Sequence, residues 1–389
     1  MKFITDSVSR CARLGSLSEL EKFPEAIFET PLLVLYTRRG SVPHLTKDVF
    51  KMLTDEQHML SVSLPTTLTM VEAVKQSDSF SEFVGMKEYP TILTIQDSSE
   101  VSPHGHQKHI TTAIWTKHGH HPVSPDIYMD IVEAFKPDIY VGLCDGDSNE
   151  KTNEKKIMKV VDRSKRQFEK CLERHKSSEI LKKTCLLGAV EGGYDLRARE
   201  VSANFLREKN LEGYVIDGLH VNGPEVQNIS FETIKEVVQH TLALLPPEKL
   251  KVSMGSWSPH VILELIDSGV DVFDSSYPYV MTENFKALTF MCDSHNHGDD
   301  YKTELAISVA DKCYVDDFSP ICNECQCLTC RNHSRAYLNH LHNTKELLCS
   351  VLLMIHNTHV YLEFFKAIRE NIKNGKFKEF KHRFLNQFS

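Results

Sequence analysis

The strongest constraint on the fold is an alternation of short apolar segments with longer amphipathic segments, which begins at residue 138. The apolar segments predict five strands, and the segments between them have the length and periodicity of helices. Strands connected by crossover helices lie parallel in one sheet that is covered on both faces. The predicted strands are 138–144, 185–190, 213–217, 251–254 and 270–274, and the predicted helices are 152–177, 196–209, 231–244 and 259–268.

A cluster of Gly, Asp or Ser residues ends each of the five predicted strands. In a (β/α)₈ barrel the carboxyl ends of the strands build the functional site, and Gly allows the backbone to approach a ligand closely. Turn formation explains any one cluster, but five together favour a functional rim. We therefore predict an α/β fold, a (β/α)₈ TIM-type barrel, whose remaining strands come from the N-terminal third at 31–36, 91–96 and 110–115. The clusters are 145–147, 191–193, 217–219, 255–257 and 274–276.

Composition and charge exclude several classes of protein. With 389 residues, 41% hydrophobic and 25% charged, the chain is globular rather than disordered. Its net charge of −8 excludes a broadly basic nucleic-acid binder, so RNA would need a local basic surface. Residues 1–7 turn polar too early for a signal peptide, and no window approaches the roughly 18 apolar residues of a membrane span. We expect a soluble, cytosolic protein with reduced cysteines.

Four cysteines within nine residues form the clearest metal-binding motif: Cys322, Cys325, Cys327 and Cys330. Zinc prefers tetrahedral thiolate and imidazole ligands. One ligand set uses all four cysteines. The other uses the last three with a histidine from the following helix, predicted over 334–370, and leaves Cys322 free. Either set is a closed structural site that adds folding energy. One face of that helix carries Leu347, Leu348, Val351, Leu352, Ile355, His356 and His359.

A second concentration of potential ligands lies between residues 104 and 121, where six histidines occur with Gly and Lys. No cysteine or carboxylate spacing supports a metal site there, so the tract favours a solvated loop or hairpin. The histidines are His104, His106, His109, His118, His120 and His121.

The chain is predicted to contain three regions. Residues 1–283 form the main part of the barrel with N-terminal strands, and 284–321 lose the strand and helix alternation and form an irregular insertion or linker. Residues 322–389 form the zinc knuckle and C-terminal helices that pack on the barrel.

Several of these motifs together resemble the tRNA-guanine transglycosylase family, from about residue 31 to 370. They are Lys-Pro-Asp-Ile at 136–139, Val-Glu-Gly-Gly at 190–193, the segments 213–219 and 269–274, Met-Gly at 254–255, and Cys-x-Cys-x-x-Cys with a histidine 26 positions on. The resemblance implies a (β/α)₈ barrel with a zinc-binding insertion. It also implies one Zn²⁺ per chain, bound by Cys325, Cys327, Cys330 and His356.

Enzymes of this family exchange the wobble guanine of certain tRNAs for queuine or a precursor. One aspartate attacks the ribose anomeric carbon and a second assists proton transfer, as in a retaining glycosidase. The resemblance places the nucleophile at Asp274, but the arginine that follows in the family is missing from 277–280. The second aspartate's loop has lost its glycines, and Asp97 lies two places out of register. The base-binding segment has become 143–146, and Glu191 replaces a glutamine.

Altered site loops beside a retained barrel and zinc motif indicate a subunit that keeps the fold without the chemistry. The family's active form in eukaryotes is a heterodimer of a catalytic and a non-catalytic paralogue, and this chain resembles the second. We therefore expect no catalytic and no cofactor-binding residues, a catalytic partner subunit, tRNA as a ligand of the complex, and a homodimer as a form of the chain alone. The resemblance also implies peripheral contact with the mitochondrial outer membrane.

Two alternatives stay open. One is an active transglycosylase with Asp274 as nucleophile and Asp97 or Asp145 as the acid/base group. The other is an unrelated zinc-stabilised barrel that acts on a small molecule.

Two surfaces of the C-terminal region are expected to meet partners. An apolar surface near the zinc region should form the dimer contact, as the resemblance implies. A basic segment should contact tRNA phosphates, because few acidic residues interrupt it. Its residues are Lys366, Arg369, Lys373, Lys376, Lys378, Lys381 and Arg383.

Overall fold

The computed structural model describes residues 1–9, 11–108, 110–290 and 303–388. Its internal contacts divide the chain into two compact units. The barrel unit comprises Met1–Gly40 and Gln57–Asp274, and the C-terminal unit comprises Ser41–Glu56 and Ser275–Ser389.

The barrel unit contains a closed barrel of eight strands, numbered 1 to 8 here in chain order. Each strand pairs in parallel with its neighbours in the sequence, and the barrel closes where Val272 of strand 8 pairs with Leu32 of strand 1. This confirms the predicted TIM-type fold. The strands are Leu32–Tyr36, Leu60–Ser63, Thr91–Thr94, Ile139–Val141, Cys185–Val190, Gly213–Ile216, Leu250–Val252 and Val272–Asp274.

The helices between the strands follow from local capping and from apolar periodicity. In the helix Glu154–Ser177, the side chain of Asn153 accepts a hydrogen bond from the backbone of Lys156, and Val160 and Phe168 lie on the buried face. Gly269 ends the helix Pro259–Ser268 in a left-handed conformation that glycine adopts without strain. The other helices are Leu64–Thr67, Val71–Val74, Phe80–Phe83, Pro125–Phe135, Leu196–Arg207 and Phe231–Leu244, with 3₁₀ turns at Leu68–Met70, Leu181–Lys183 and Pro224–Asn228.

Two antiparallel elements of the barrel unit lie outside the barrel. Lys2–Ser9, Ala12–Ser18 and Phe28–Thr30 form a three-stranded sheet, and Thr112–Thr116 and Gly119–Val123 form a hairpin. The hairpin confirms the interpretation of the histidine tract as a loop or hairpin, except for His109, which lies outside the described residues.

One barrel strand was predicted wrongly. Of the predicted residues 110–115, residues 112–115 belong to the hairpin, and the missing barrel strand is Leu60–Ser63. Its sequence Leu-Ser-Val-Ser lacks a continuous apolar run, which is the usual signature of a strand buried on both faces. All four residues are nevertheless buried. The buried Ser63 hydroxyl donates to Asp97, and the Ser61 carbonyl accepts from the Thr37 hydroxyl.

The C-terminal unit is mainly helical. Its helices are Lys47–Leu53, Ser276–Glu283, Leu328–Asn332, Arg335–Asn343, Leu347–Lys373 and Phe377–Asn386, with a 3₁₀ turn at Lys312–Tyr314. Lys286–Leu288 and Ala306–Ser308 form a two-stranded antiparallel sheet within the predicted insertion 284–321, of which 291–302 lie outside the described residues.

The single helix predicted over 334–370 is two helices, Arg335–Asn343 and Leu347–Lys373. Between them lies Lys345, whose φ of 59° is incompatible with a continuous helix. The second, called the long helix below, is long and apolar enough to cross a bilayer by length and composition alone, although the sequence analysis found no such window. Of that window, 61% is buried within the protein, which is typical of a core helix. Leu347 is 85% exposed, so the predicted apolar face is only partly buried.

Candidate metal centre and barrel mouth

Three cysteines and one histidine converge in the C-terminal unit. Their ligand atoms all lie within 4.8 Å of one another, in the group Cys325, Cys327, Cys330 and His356. Cys327 caps the short helix Leu328–Asn332, where its sulfur accepts a hydrogen bond from the backbone N–H of Cys330 at 3.3 Å. His356 is buried in the middle of the long helix. A tight loop and one helical side chain thus supply all four groups.

The spacing of the four groups fits a tetrahedral metal ion. The Nδ1 atom of His356 lies 3.7, 3.5 and 3.3 Å from the sulfurs of Cys325, Cys327 and Cys330. Zinc bonds of about 2.3 Å to sulfur and about 2.0 Å to nitrogen, at tetrahedral angles, place these atoms about 3.6 Å apart. The group could therefore hold a metal ion such as zinc.

The surroundings of the group also suit a metal. The other imidazole nitrogen of His356, Nε2, lies 2.7 Å from the carbonyl oxygen of Leu288, to which it donates, which leaves Nδ1 free to coordinate. Hydrogen bonds from Cys325 and Cys330 lower the pKa of the Cys327 thiol well below its ordinary value, which favours the metal-binding thiolate. Cys322 lies beside this group, with its sulfur 3.8 Å from the same carbonyl.

The carboxyl ends of the barrel strands, called the barrel mouth here, collect the predicted acidic residues. Asp274 ends strand 8 and is 1% exposed. It accepts hydrogen bonds from the Ser98 hydroxyl and from the Gly255 N–H. Asp274 is therefore held within the protein by groups on two neighbouring loops.

Asp97, like Asp274, is held by hydrogen bonds to internal groups. Its carboxylate accepts from the Tyr36 hydroxyl at 2.9 Å, from the Ser63 hydroxyl at 2.6 Å, and from the backbone N–H and hydroxyl of Ser99. These partners come from strands 1 and 2 and from its own loop, so that Asp97 is 2% exposed. Asp97 therefore has a structural role as an acceptor of hydrogen bonds within the protein.

A third group of acidic residues lies between strands 4 and 6. Asp145 forms an ion pair with Arg163. Glu191 accepts from the Gly146 N–H at 2.8 Å and from the Ser148 hydroxyl at 2.9 Å. Burial, followed by the charges of Asp217 and Asp145, raises the pKa of Glu191 to about 8. Glu191 therefore keeps its proton at neutral pH.

Sequence reasoning did not find the close group of Cys144, Glu191 and Asp217, whose ligand atoms lie within 4.8 Å of one another. The three residues come from separate loops, so no local spacing identifies them. The thiol of Cys144 donates to Asp217 over 3.8 Å. The buried guanidinium of Arg199 contributes positive charge near this group while it donates to the carbonyls of Val190 and Gly193.

The cavity left at the barrel mouth is small. Its volume is about 50 Å³, whereas a cavity of about 150 Å³ is known to admit benzene. A hydrogen bond from the Asn222 amide to the Gln96 side chain crosses its rim. A space of this volume suits a few water molecules. Side chains that line it include Gln96, Cys144, Asp217, His220, Asn222 and Met254.

Comparison with known proteins agrees with this architecture. The model of the family described as queuine tRNA-ribosyltransferase matches residues 7–389. The chain belongs to the queuine tRNA-ribosyltransferase family. Curated relatives of this family are similar over nearly the full chain. A protein of Anopheles gambiae is 38% identical to this chain, and the aligned region covers 100% of this chain and 91% of the relative. A protein of Aedes aegypti is 40% identical, and the aligned region covers 96% of this chain and 89% of the relative. Both relatives are named queuine tRNA-ribosyltransferase accessory subunit 2.

Proposed function

We propose that the chain is the non-catalytic subunit of a heterodimeric tRNA-guanine transglycosylase, whose catalytic subunit exchanges the wobble guanine of tRNA for queuine. The carrying observation is the barrel mouth, where Asp97, Asp145 and Asp274 are each bound to internal partners. The cavity there that Cys144, Asp217 and His220 line has a volume of about 50 Å³. A nucleophile needs a free carboxylate beside a pocket that admits the base. The accessory role in the names of the relatives supports the same proposal.

In this proposal one Zn²⁺ per chain is bound by Cys325, Cys327, Cys330 and His356, and Cys322 takes no part. The filled ligand shell has no open position for substrate or water, so the zinc has a structural role. The ion ties the loop 322–330 to the long helix through His356.

The catalytic subunit is proposed to bind an apolar surface of the C-terminal unit. The helix Lys47–Leu53 contacts the long helix, whose first residue is Leu347. Phe318 lies next to the helix Arg335–Asn343, because the backbone N–H of Ala336 donates to the Asp317 carbonyl at 2.8 Å. Exposed large apolar side chains on one unit suit a protein interface. They are Met52, Val315, Phe318, Tyr337, Leu347 and Leu348.

Complex formation with the catalytic subunit tests this proposal. Leu347→Asp should abolish co-elution of the two subunits in size-exclusion chromatography, because it places a charge in a desolvated contact. Ile27→Asp is the matched control, since Ile27 is 68% exposed in the barrel unit. Failure of the unaltered chain to bind the catalytic subunit would contradict the proposal, and equal behaviour of the two variants would contradict the assigned surface.

The basic segment is proposed to contact tRNA phosphates in the complex. Lys373, Lys376 and Lys378 are exposed around the turn between the long helix and the helix Phe377–Asn386. Lys381, also part of the predicted segment, is half-buried and already has a partner. The first three lysines are therefore the better candidates. A homodimer, a cytoplasmic location and contact with the mitochondrial outer membrane stay predictions.

A further inference from the structure

The histidine tract has no part in the proposed function so far, yet it forms an ordered aromatic cluster. The ring centroids of His106 and His120 lie 4.1 Å apart at an interplanar angle of 32°. Trp115 lies 5.4 Å from His106 and 5.3 Å from His120. Trp115 and His120 are direct cross-strand partners of the hairpin, which explains their contact.

His106 comes from the preceding loop and is held in place by its neighbours. Its φ of 64° is unusual for a residue with a side chain, and such conformations occur where the surrounding structure imposes them. The Gln107 side chain accepts from the Ala113 N–H at 2.8 Å, and His104 lies 2.6 Å from Asp147. The loop is therefore fixed on both sides of His106, while the rings of His106 and His120 remain exposed.

The charge around this cluster suits a polyanion. Residues 101–124 contain no Asp or Glu but include Lys108 and Lys117, in a chain with a net charge of −8. Three of the carboxylates that line the adjoining cleft form ion pairs, Glu100 with Arg38, Asp145 with Arg163 and Asp147 with Lys156.

The hairpin lies next to the ends of barrel strands 3 and 4. Residues 112–117 line a cleft of about 120 Å³ together with Gln96, Asp97 and 145–147, which follow strands 3 and 4. The aromatic cluster thus lies beside the barrel mouth. The indole N–H of Trp115 is buried and has no hydrogen-bond partner among the described residues.

We infer that His106, Trp115 and His120 form a stacking site for an unpaired nucleobase of single-stranded RNA. Exposed rings on a rigid support bind bases through their π faces, and neighbouring cations hold the phosphates. The inference deepens the proposed function and rests on it, because it places an unpaired segment of the bound tRNA on the hairpin. Recognition by stacking favours single strands over duplexes and tolerates different bases.

The test measures binding of a stem-loop RNA with the anticodon sequence of a substrate tRNA to the reconstituted heterodimer. The double variant His106→Ala/His120→Ala should bind about 10-fold more weakly, which corresponds to loss of one base stack. The variant His106→Phe/His120→Phe should bind within about 2-fold of the unaltered complex, because it keeps the aromatic faces. His118→Ala is the matched control on the same turn and should bind normally. The salt dependence should be equal in all variants, since phosphate contacts are retained.

A local readout comes from the chain alone, which has 2 tryptophans. Trp257 is 0% exposed, so quenching of fluorescence by the stem-loop should report Trp115 and should vanish in Trp115→Phe. Equal affinities of the alanine pair and His118→Ala, or equal weakening by the alanine and phenylalanine pairs, would overturn the stacking site alone. Absence of quenching in the unaltered chain would do the same. Failure of the unaltered complex to bind the RNA would overturn the proposed function as well.

Discussion

The metal centre and the barrel mouth use their polar side chains in opposite ways. At the metal centre, three sulfurs and one imidazole nitrogen point toward one another at 3.3 to 3.7 Å from nitrogen to sulfur. At the barrel mouth, Asp97 and Asp274 point toward hydroxyls and N–H groups of neighbouring loops. The first arrangement leaves space for an ion of the right size, whereas the second engages the carboxylates with internal partners. The difference supports the proposal that this chain keeps a structural metal site and lacks a reacting one.

The largest effect is expected from removal of a ligand at the metal centre. Cys327→Ser should release the metal and lower the free energy of unfolding by about 3 kcal/mol or more, because a structural zinc contributes directly to folding. Metal content by mass spectrometry and urea unfolding measure both changes. Cys322→Ser is the matched control and should keep the metal. Loss of metal in Cys322→Ser together with retention in His356→Ala would show that the four cysteines are the ligands.

An intermediate effect concerns the buried acid at the barrel mouth. The raised pKa of Glu191, about 8 against an ordinary 4.5, means that the folded chain retains a proton that the unfolded chain releases. This contribution to stability is complete below about pH 4.5 and is lost as the pH rises toward 8. Glu191→Gln keeps a neutral side chain, so its free energy of unfolding should decline less between about pH 5 and pH 8, by on the order of a few kcal/mol.

Urea unfolding at several pH values measures this difference. The control is Glu200→Gln, an exposed position on the helix Leu196–Arg207, which should follow the unaltered chain at every pH. Parallel curves for the unaltered chain and Glu191→Gln would show that Glu191 is ionised in the folded protein.

The smallest effect concerns tRNA. Reversal of Lys373, Lys376 and Lys378 to Glu should weaken tRNA binding by the complex, and each lost phosphate contact should flatten the dependence of log affinity on log salt by about 0.7 to 0.9. The control reverses Lys155, Lys159 and Lys170, which are exposed on the helix Glu154–Ser177 and carry the same charge change. An unchanged salt slope in the first variant would leave tRNA binding to the catalytic subunit.

The sequence alone was sufficient for the parts of the fold that follow from local patterns. Five consecutive strands and four helices of the barrel come from apolar periodicity, and the cysteines of the metal group come from a dense motif. The motif left two ligand sets open, and only the family resemblance selected His356. The strand Leu60–Ser63 was missed because two serines interrupt its apolar run, and the acceptor of the Ser63 hydroxyl, Asp97, is distant in sequence. The group of Cys144, Glu191 and Asp217 was missed because three separate loops supply its residues.

The resemblance to the family located the altered loops but not their consequence. Loss of glycines after strand 3 was visible in the sequence, whereas the hydroxyls of Tyr36 and Ser63 that now hold Asp97 were not. Only the closed barrel brings strands 1, 2 and 3 together at their carboxyl ends. The small cavity is likewise a property of packing and not of any motif.

The central claim, that this chain supports the exchange reaction without performing it, is tested most directly by guanine exchange into tRNA. Labelled guanine incorporation should be absent with the purified chain alone and present with the reconstituted heterodimer. Asp274→Asn in this chain should leave the heterodimer's rate within about 2-fold, because the proposed function gives Asp274 the role of an internal acceptor and not of a nucleophile. Exchange by the chain alone, lost in Asp274→Asn while folding and pairing are unchanged, would contradict the account and establish the chain as a transglycosylase.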